Sequence, residues 1–304
     1  MKRILVILII VLIGQTIYAQ QQSMYSQYMF NQFLINPAIT GNVDYIPVRL
    51  TARQQWVGIN NAPSTQSVSA HMLLGNKNMG VGGYLFADRF GPETKVGVQA
   101  SYSYILNLNS TRTTKLAFGL AARAFQYKLD YNALDPIDSD DEILYNNTES
   151  TFVPDADFGV YLYNEKYFVG LSATQLIGLP VEVTQTDTKE NDMVRHYYLQ
   201  GGYKFDLGDQ FQLEPSVILR ATEVSPLSAD INLRGIYKRN YWLGFSYRSS
   251  NTLVAMIGVK YAHFVFGYAY DYTLSNINHY SSGSHEIILG YNFNEKAKKG
   301  SSLL

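Results

Sequence analysis

The chain has 304 residues, a formal charge of -1 and no cysteine, a length that admits one large β domain or two ordinary ones. Without cysteine there is no disulfide scaffold, thiol nucleophile, thiolate metal site or lipid-anchored N-terminal cysteine, and the near-neutral balance argues against a nucleic-acid binder. The 25 Tyr and 15 Phe accompany only 16% charged residues, where a soluble domain carries about 25%, so part of the surface is expected to face lipid.

Lys2 and Arg3 precede an apolar run over 4–13 and a small residue, Ala19. This is the pattern of an export signal at 1–19, too short to span a bilayer of ~20 helical residues. The next segment, 20–47, contains the stretch MYSQYMFNQFLINPAITG at 24–41, which is aromatic, uncharged and rich in Asn and Gln. Tyr25, Tyr28, Met29 and Gln32 recur at spacings of three and four, which predicts a short helix that ends by Asn36, before Pro37. Such a segment suits a wet, crowded place, and we expect a plug in a lumen or at its periplasmic mouth.

From 48 to 293 the sequence alternates with a period of two. Segments of this kind fall at 48–55, 65–73, 79–88, 93–107, 113–129, 152–163, 167–175, 193–207, 210–221, 228–239, 241–250, 253–261, 263–273 and 284–293. That gives about fourteen antiparallel strands, with a tail at 294–304. The connections sort by parity. Short ones at 74–78, 108–112, 164–166, 208–209, 240 and 262 alternate with longer ones at 56–64, 130–151, 176–192, 222–227 and 274–283. Two connections, 89–92 and 251–252, break the pattern. Tight periplasmic turns and extended external loops are the habit of an outer-membrane barrel. The expected fold is therefore all-β: a transmembrane outer-membrane β-barrel of about 14 strands with a short N-terminal plug-like segment. The rival is a soluble sandwich, which alternation alone does not exclude.

One face of these strands is greasy and often carries tyrosine. The other holds small and polar residues with Arg49, Arg53, Arg123, Lys204, Glu214, Arg220, Asp230, Arg234, Arg248, Lys260, Asp271 and Glu286. A lipid-facing Arg or Lys at the midplane costs ~2–4 kcal/mol, so the charged face is expected to line the lumen and to pair across it. A barrel of this size lies between the side-chain-filled eight-stranded type and open channels of 16–18 strands, so a plug is plausible.

Catalytic signals are thin. Gly170-Leu171-Ser172-Ala173-Thr174 begins like a nucleophile elbow but lacks the second glycine and the strand-to-helix context. His71, His196, His263, His279 and His285 form no pair at metal-ligand spacing. Asp135, Asp138, Asp140, Asp141 and Glu142 crowd the longest loop, without EF-hand spacing. We therefore expect neither an enzyme nor a cofactor.

Two blocks carry a resemblance. Tyr25-Ser26-Gln27-Tyr28-Met29-Phe30-Asn31-Gln32 with Ile35-Asn36-Pro37-Ala38 and Gly41 is the first. Arg53-Gln54-Gln55-Trp56-Val57-Gly58 with Ala62-Pro63-Ser64-Thr65-Gln66-Ser67, Ala70 and His71 is the second. With the closing Gly267-Tyr268-Ala269-Tyr270-Asp271-Tyr272 and Gly290-Tyr291-Asn292-Phe293, the chain resembles PorP/SprF outer-membrane proteins of the type IX secretion and gliding apparatus of Bacteroidetes. The resemblance implies a non-enzymatic barrel that works with periplasmic ring components of the secretion machine and with a secreted adhesin or other cargo. Tyr25, Tyr28, Phe30, Asn31, Asn36, Pro37, Gln54, Gln55 and Trp56 are then the candidate plug and interaction residues. Asn36-Pro37-Ala38 is also similar to the N-terminal hatch of long-chain fatty-acid transporters, which supplies the rival function, passage of a hydrophobic small molecule.

Overall fold

A computed structural model describes residues 24–75, 78–111, 113–131, 148–179 and 193–295. The export signal, the acidic loop residues Asp135 to Glu142 and the tail beyond Glu295 lie outside the described residues.

Fourteen antiparallel strands close on themselves. They are β1 (Ile46–Gln54), β2 (Ser64–Leu73), β3 (Met79–Phe90), β4 (Glu93–Asn107), β5 (Lys115–Leu129), β6 (Glu149–Tyr163) and β7 (Tyr167–Thr174). The second half comprises β8 (His196–Tyr203, continued as Phe205–Asp206), β9 (Phe211–Thr222), β10 (Ser228–Tyr237), β11 (Tyr241–Arg248), β12 (Thr252–Tyr261), β13 (Phe264–Thr273) and β14 (Ser284–Phe293). Both pieces of β8 pair with β9, so the break at Lys204 interrupts one strand and does not add another. Each strand pairs with its sequence neighbours, and β1 returns to β14 with Ile46 opposite Phe293 and Gln54 opposite His285. Closure matters because a bilayer offers no water to satisfy an open edge.

The strand ends lie within three residues of those read from the alternation. The reason is visible in β11, whose exposure pattern is strictly alternate: Tyr241, Leu243, Phe245 and Tyr247 point out, Trp242, Gly244, Ser246 and Arg248 point in. The two ends of the barrel differ as expected. β1 begins and β14 finishes at one end, which carries the tight connections and is called the turn end here; the other is the loop end. Around the turn end Tyr203 meets Phe205, Phe211 meets Tyr237, and Tyr291 touches both Phe264 and Phe293, with ring centroids 4.5–4.9 Å apart. Phe90, Phe152, Tyr197, Tyr247 and Tyr272 are exposed toward the loop end. Apolar side chains cover the outer wall between these belts, the form an outer-membrane barrel takes.

The outward face of β11 gives a direct check. Phe245→Lys places an unpaired ammonium on the lipid side and is expected to lower unfolding stability in bilayers by ~2–4 kcal/mol if the site is near the midplane. Denaturant titration of the protein in lipid vesicles measures it, and an unchanged midpoint contradicts the assignment of that face.

Candidate functional site: the plugged lumen

Residues 24–45 lie inside the barrel, and the expected short helix is not what they form. Three consecutive 3-10 turns, Tyr28–Phe30, Gln32–Leu34 and Pro37–Ile39, follow one another with single bent residues or pairs between them. Asn31 is extended enough (φ -145°) to stop the first turn from propagating, and Pro37 restarts the chain as the first residue of the third. The spacing of three and four that suggested an α-helix comes from these short turns stacked end to end.

The segment descends through the lumen from the loop-end third to the turn end. At its upper end the backbone N–H groups of Ser26 and Gln27 donate to the two oxygens of the Glu286 carboxylate, at 2.7 and 2.9 Å. The Ser26 hydroxyl donates to Asp271 (2.6 Å) and accepts from the Arg53 guanidinium (2.8 Å). Arg53 in turn pairs with Asp271 (2.7 Å) and Glu286 (3.3 Å). The chain of charges continues along the wall: Arg248 reaches Asp271 (3.4 Å) and Asp230 (3.1 Å), and Arg220 holds Asp230 in a two-pronged contact at 2.7 and 3.0 Å. Three arginines and three carboxylates thus alternate from β9 to β1, and the segment's backbone is hydrogen-bonded into their midst.

Further down, side chains of the segment fill the interior. Tyr28 and Met29 pack with Tyr198, Ile218, Val254 and Met256. Phe33, Leu34, Ala38 and Ile39 pack with Ile105, Tyr161 and Phe168. Phe30 lies 4.7 Å from the Trp242 ring and 4.6 Å from the Arg234 guanidinium, a cation–π contact in a dry setting. The Tyr28 hydroxyl accepts from Asn232 (2.6 Å), and burial pushes its pKa upward, so it stays neutral. Asn31 bonds Ser69 (2.9 Å). Asn36 caps the third turn by accepting from Ala38 N (2.9 Å) and donates to the wall carbonyl of Val160 (3.2 Å).

The wall is shaped for this backbone. A Cβ on Gly159 would come within 2.0 Å of the Asn36 side-chain oxygen, and one on Gly119 within 2.2 Å of Ala38 N. On Gly80 it would meet the Thr40 carbonyl oxygen at 2.1 Å. Three wall glycines therefore mark where the segment presses closest.

The lumen charges mostly pair, but along the wall between strands and not across the interior as the sequence suggested. Strand register explains this: Glu214 is the ladder partner of Arg234, Asp230 of Arg248 and Arg53 of Glu286, and the plug occupies the space between opposite walls. Arg234 binds Glu214 at 2.6 Å, with Lys204 at 3.9 Å. Arg123 binds Asp157 (2.7 Å), the Tyr84 hydroxyl (2.8 Å) and Gln99 (2.9 Å). Lys260 pairs with Glu295, just beyond β14. Arg49 meets no carboxylate within 4.0 Å among the described residues and shares a side-chain hydrogen bond with Tyr45.

Gln54, Gln55 and Trp56 are not brought to the plug. They occupy the loop-end rim, where Gln54 faces outward and is exposed. Trp56 takes a left-handed backbone (φ 44°), donates from its N–H to the Ser284 hydroxyl (3.1 Å), and is followed by Val57, which bonds Gly283 and Ser282. This pairs the β1–β2 loop with the β13–β14 loop, so the second block is a rim device separate from the first.

Reasoning from alternation did not read the inward apolar residues Ile105, Ile218, Val254, Met256 and Ile288 as a seat for the plug. Within their strands they share a face with Ser, Thr, Glu, Arg or Lys, so the face reads as polar. Their only signal was the plug's own apolar content, which needs a seat. Ser172, in the elbow-like run, lies in ordinary strand β7 and donates to the Ile35 carbonyl (2.6 Å). His71 accepts from Gly41 N (3.1 Å).

Comparison with known proteins fits this geometry. The family model described as "Type IX secretion system membrane protein PorP/SprF" matches residues 17–291. The chain belongs to this family. No curated protein sequence is similar enough to count as a relative. Among solved structures, the toluene transporter TbuX of Ralstonia pickettii is 9% identical, with a TM-score of 0.52 over 86% of this chain and 92% of that one. The CymD monoaromatic hydrocarbon channel is 11% identical, with a TM-score of 0.50 over 91% and 94%. At such identities the likeness is one of fold: an outer-membrane barrel. For this PorP/SprF protein, the fold and the family together place it in the outer membrane.

Three substitutions probe the plug. The chain has no native cysteine, so Thr40→Cys, at a fully buried plug position whose hydroxyl bonds only within its own turn, carries a unique reporter of plug seating. Adding Gly159→Val is expected to raise its maleimide labelling rate by ~10-fold or more, because the new side chain overlaps Asn36 while a β-branched residue suits the strand. A rate that stays slow contradicts the close seat. Glu286→Gln breaks one buried ion pair and weakens the bonds to Ser26 and Gln27, at a cost of ~3–5 kcal/mol in denaturant unfolding.

Proposed function

We propose that this PorP/SprF barrel is a non-enzymatic docking component of type IX secretion and gliding. In this reading it engages periplasmic ring components of the machine at its turn end. At its loop end it aids the secretion or surface attachment of a partner such as a large adhesin. The observation that carries this is the filled lumen: the plug is held at its upper end by Glu286, Asp271 and Arg53, and along its length by apolar packing. A barrel filled in this way offers two faces to proteins. The plug and the rim residues Gln54, Gln55 and Trp56 are the interaction residues of choice on either side.

A second reading, passage of a hydrophobic small molecule, is favoured by a partly open cavity above the plug. Its lining is apolar in Tyr25, Leu34, Ile35, Phe86 and Phe125 and polar in Asp88, Lys95 and Arg123.

Planar bilayers and cells separate the two. Under the docking role the purified protein gives no steady conductance, and removing residues 24–41 produces one. Replacing Tyr28, Phe30 and Asn36 together with alanine leaves the barrel inserted and lowers surface display of the partner severalfold. Steady conductance of the intact protein, or normal display in that triple variant, would favour passage instead.

A further inference from the structure

The described residues include five buried arginines on the strands, Arg49, Arg53, Arg123, Arg234 and Arg248. Four hold a carboxylate at 2.6–3.3 Å. Arg49 does not: among the described residues no carboxylate lies within 4.0 Å of its guanidinium. Only 7% exposed, it bonds the carbonyl of its own neighbour Val48 through Nη1 (3.0 Å), and its Nε is buried with no partner. Glu295, which is near enough to be felt, is already held by Lys260 and Asn292. A buried cation without a counter-ion is costly, and the other four show how readily this interior supplies one.

Arg49 packs against Gly290 and lines a small cavity between the plug and the wall, with Gln32, Phe33, Ile39, Tyr45 and Pro47. Gln32 adds a second donor there, since its Nε2 is buried without a partner while its oxygen is taken by the Tyr161 hydroxyl. Tyr45 and Pro47 flank the first residue of β1, so the cavity lies at the turn end, on the periplasmic side. It therefore offers two buried donors without partners, Arg49 Nε and Gln32 Nε2, beside apolar and aromatic surface. That chemistry matches a carboxylate next to an apolar side chain.

We propose that this cavity is a carboxylate-binding site that receives the C-terminal end, with its apolar last residue, of a periplasmic polypeptide. The polypeptide source rests on the docking role above. The carboxylate selectivity is read in vitro without secretion, so one can fail without the other.

The test uses the full-length protein in detergent micelles. It is titrated with the hexapeptide Gly-Ser-Gly-Ser-Leu-Phe bearing a free C-terminal carboxylate, with the same peptide as its C-terminal amide, and with oleate as a non-peptide carboxylate. The free acid is expected to bind roughly tenfold more tightly than the amide, a gap of one charge-assisted contact. Arg49→Gln should erase that gap, and Gln32→Leu should narrow it. Heat-modifiable migration on gels shows that each variant still forms a barrel. Equal binding of acid and amide, no binding of either acid, or a gap that survives Arg49→Gln overturns the site. Arg49-dependent binding of oleate without peptide binding overturns the polypeptide source.

Discussion

The structure depends on one constraint: in lipid every strand must find a partner on both sides. Closing fourteen strands satisfies it, with β14 returning to β1 across nine paired positions. That solution creates a second problem, because a ring of this circumference is wider than wall side chains alone can fill. The N-terminal segment answers it. Lipid outside and a confined interior then divide the residue types between them, tyrosine and leucine outward, arginine and carboxylate inward.

The inner charges are best understood as part of the plug's attachment. Burying three arginines and three carboxylates in one alternating line is not in itself a strong source of stability, since desolvation offsets much of the attraction. What the line provides is geometry. Ser26 and Gln27 bring the N–H and hydroxyl groups that these charges can satisfy, and few other segments would match the spacing. The apolar seat beneath, formed by residues such as Ile218, Met256 and Phe168, supplies non-directional attraction; the polar network fixes the register.

Much of this was legible in the sequence. Period-two alternation located every strand because each wall position faces either lipid or lumen, and the cost of charge in lipid sorted Arg234 and Glu214 correctly inward. Legibility failed where one face had to do two things. Ile218 and Val254 share a face with Arg220 and Thr252, and alternation cannot tell an apolar seat from a polar wall. The plug's conformation was misread because the chain around its first two short turns reproduces helical spacing over the eight residues from Tyr25 to Gln32. The separation of Trp56 from the plug was invisible, since it depends on which end of β1 each block occupies.

The upper anchor also has a temporal meaning. Ser26 and its partner Glu286 lie 260 positions apart, and Glu286 belongs to the last strand. Arg53, on the first strand, grips the same serine. The segment therefore bridges the seam where the barrel's two ends meet, and its docking site does not exist until the final strand has arrived. The seated segment consequently requires both β1 and β14, and it staples the seam between them from within.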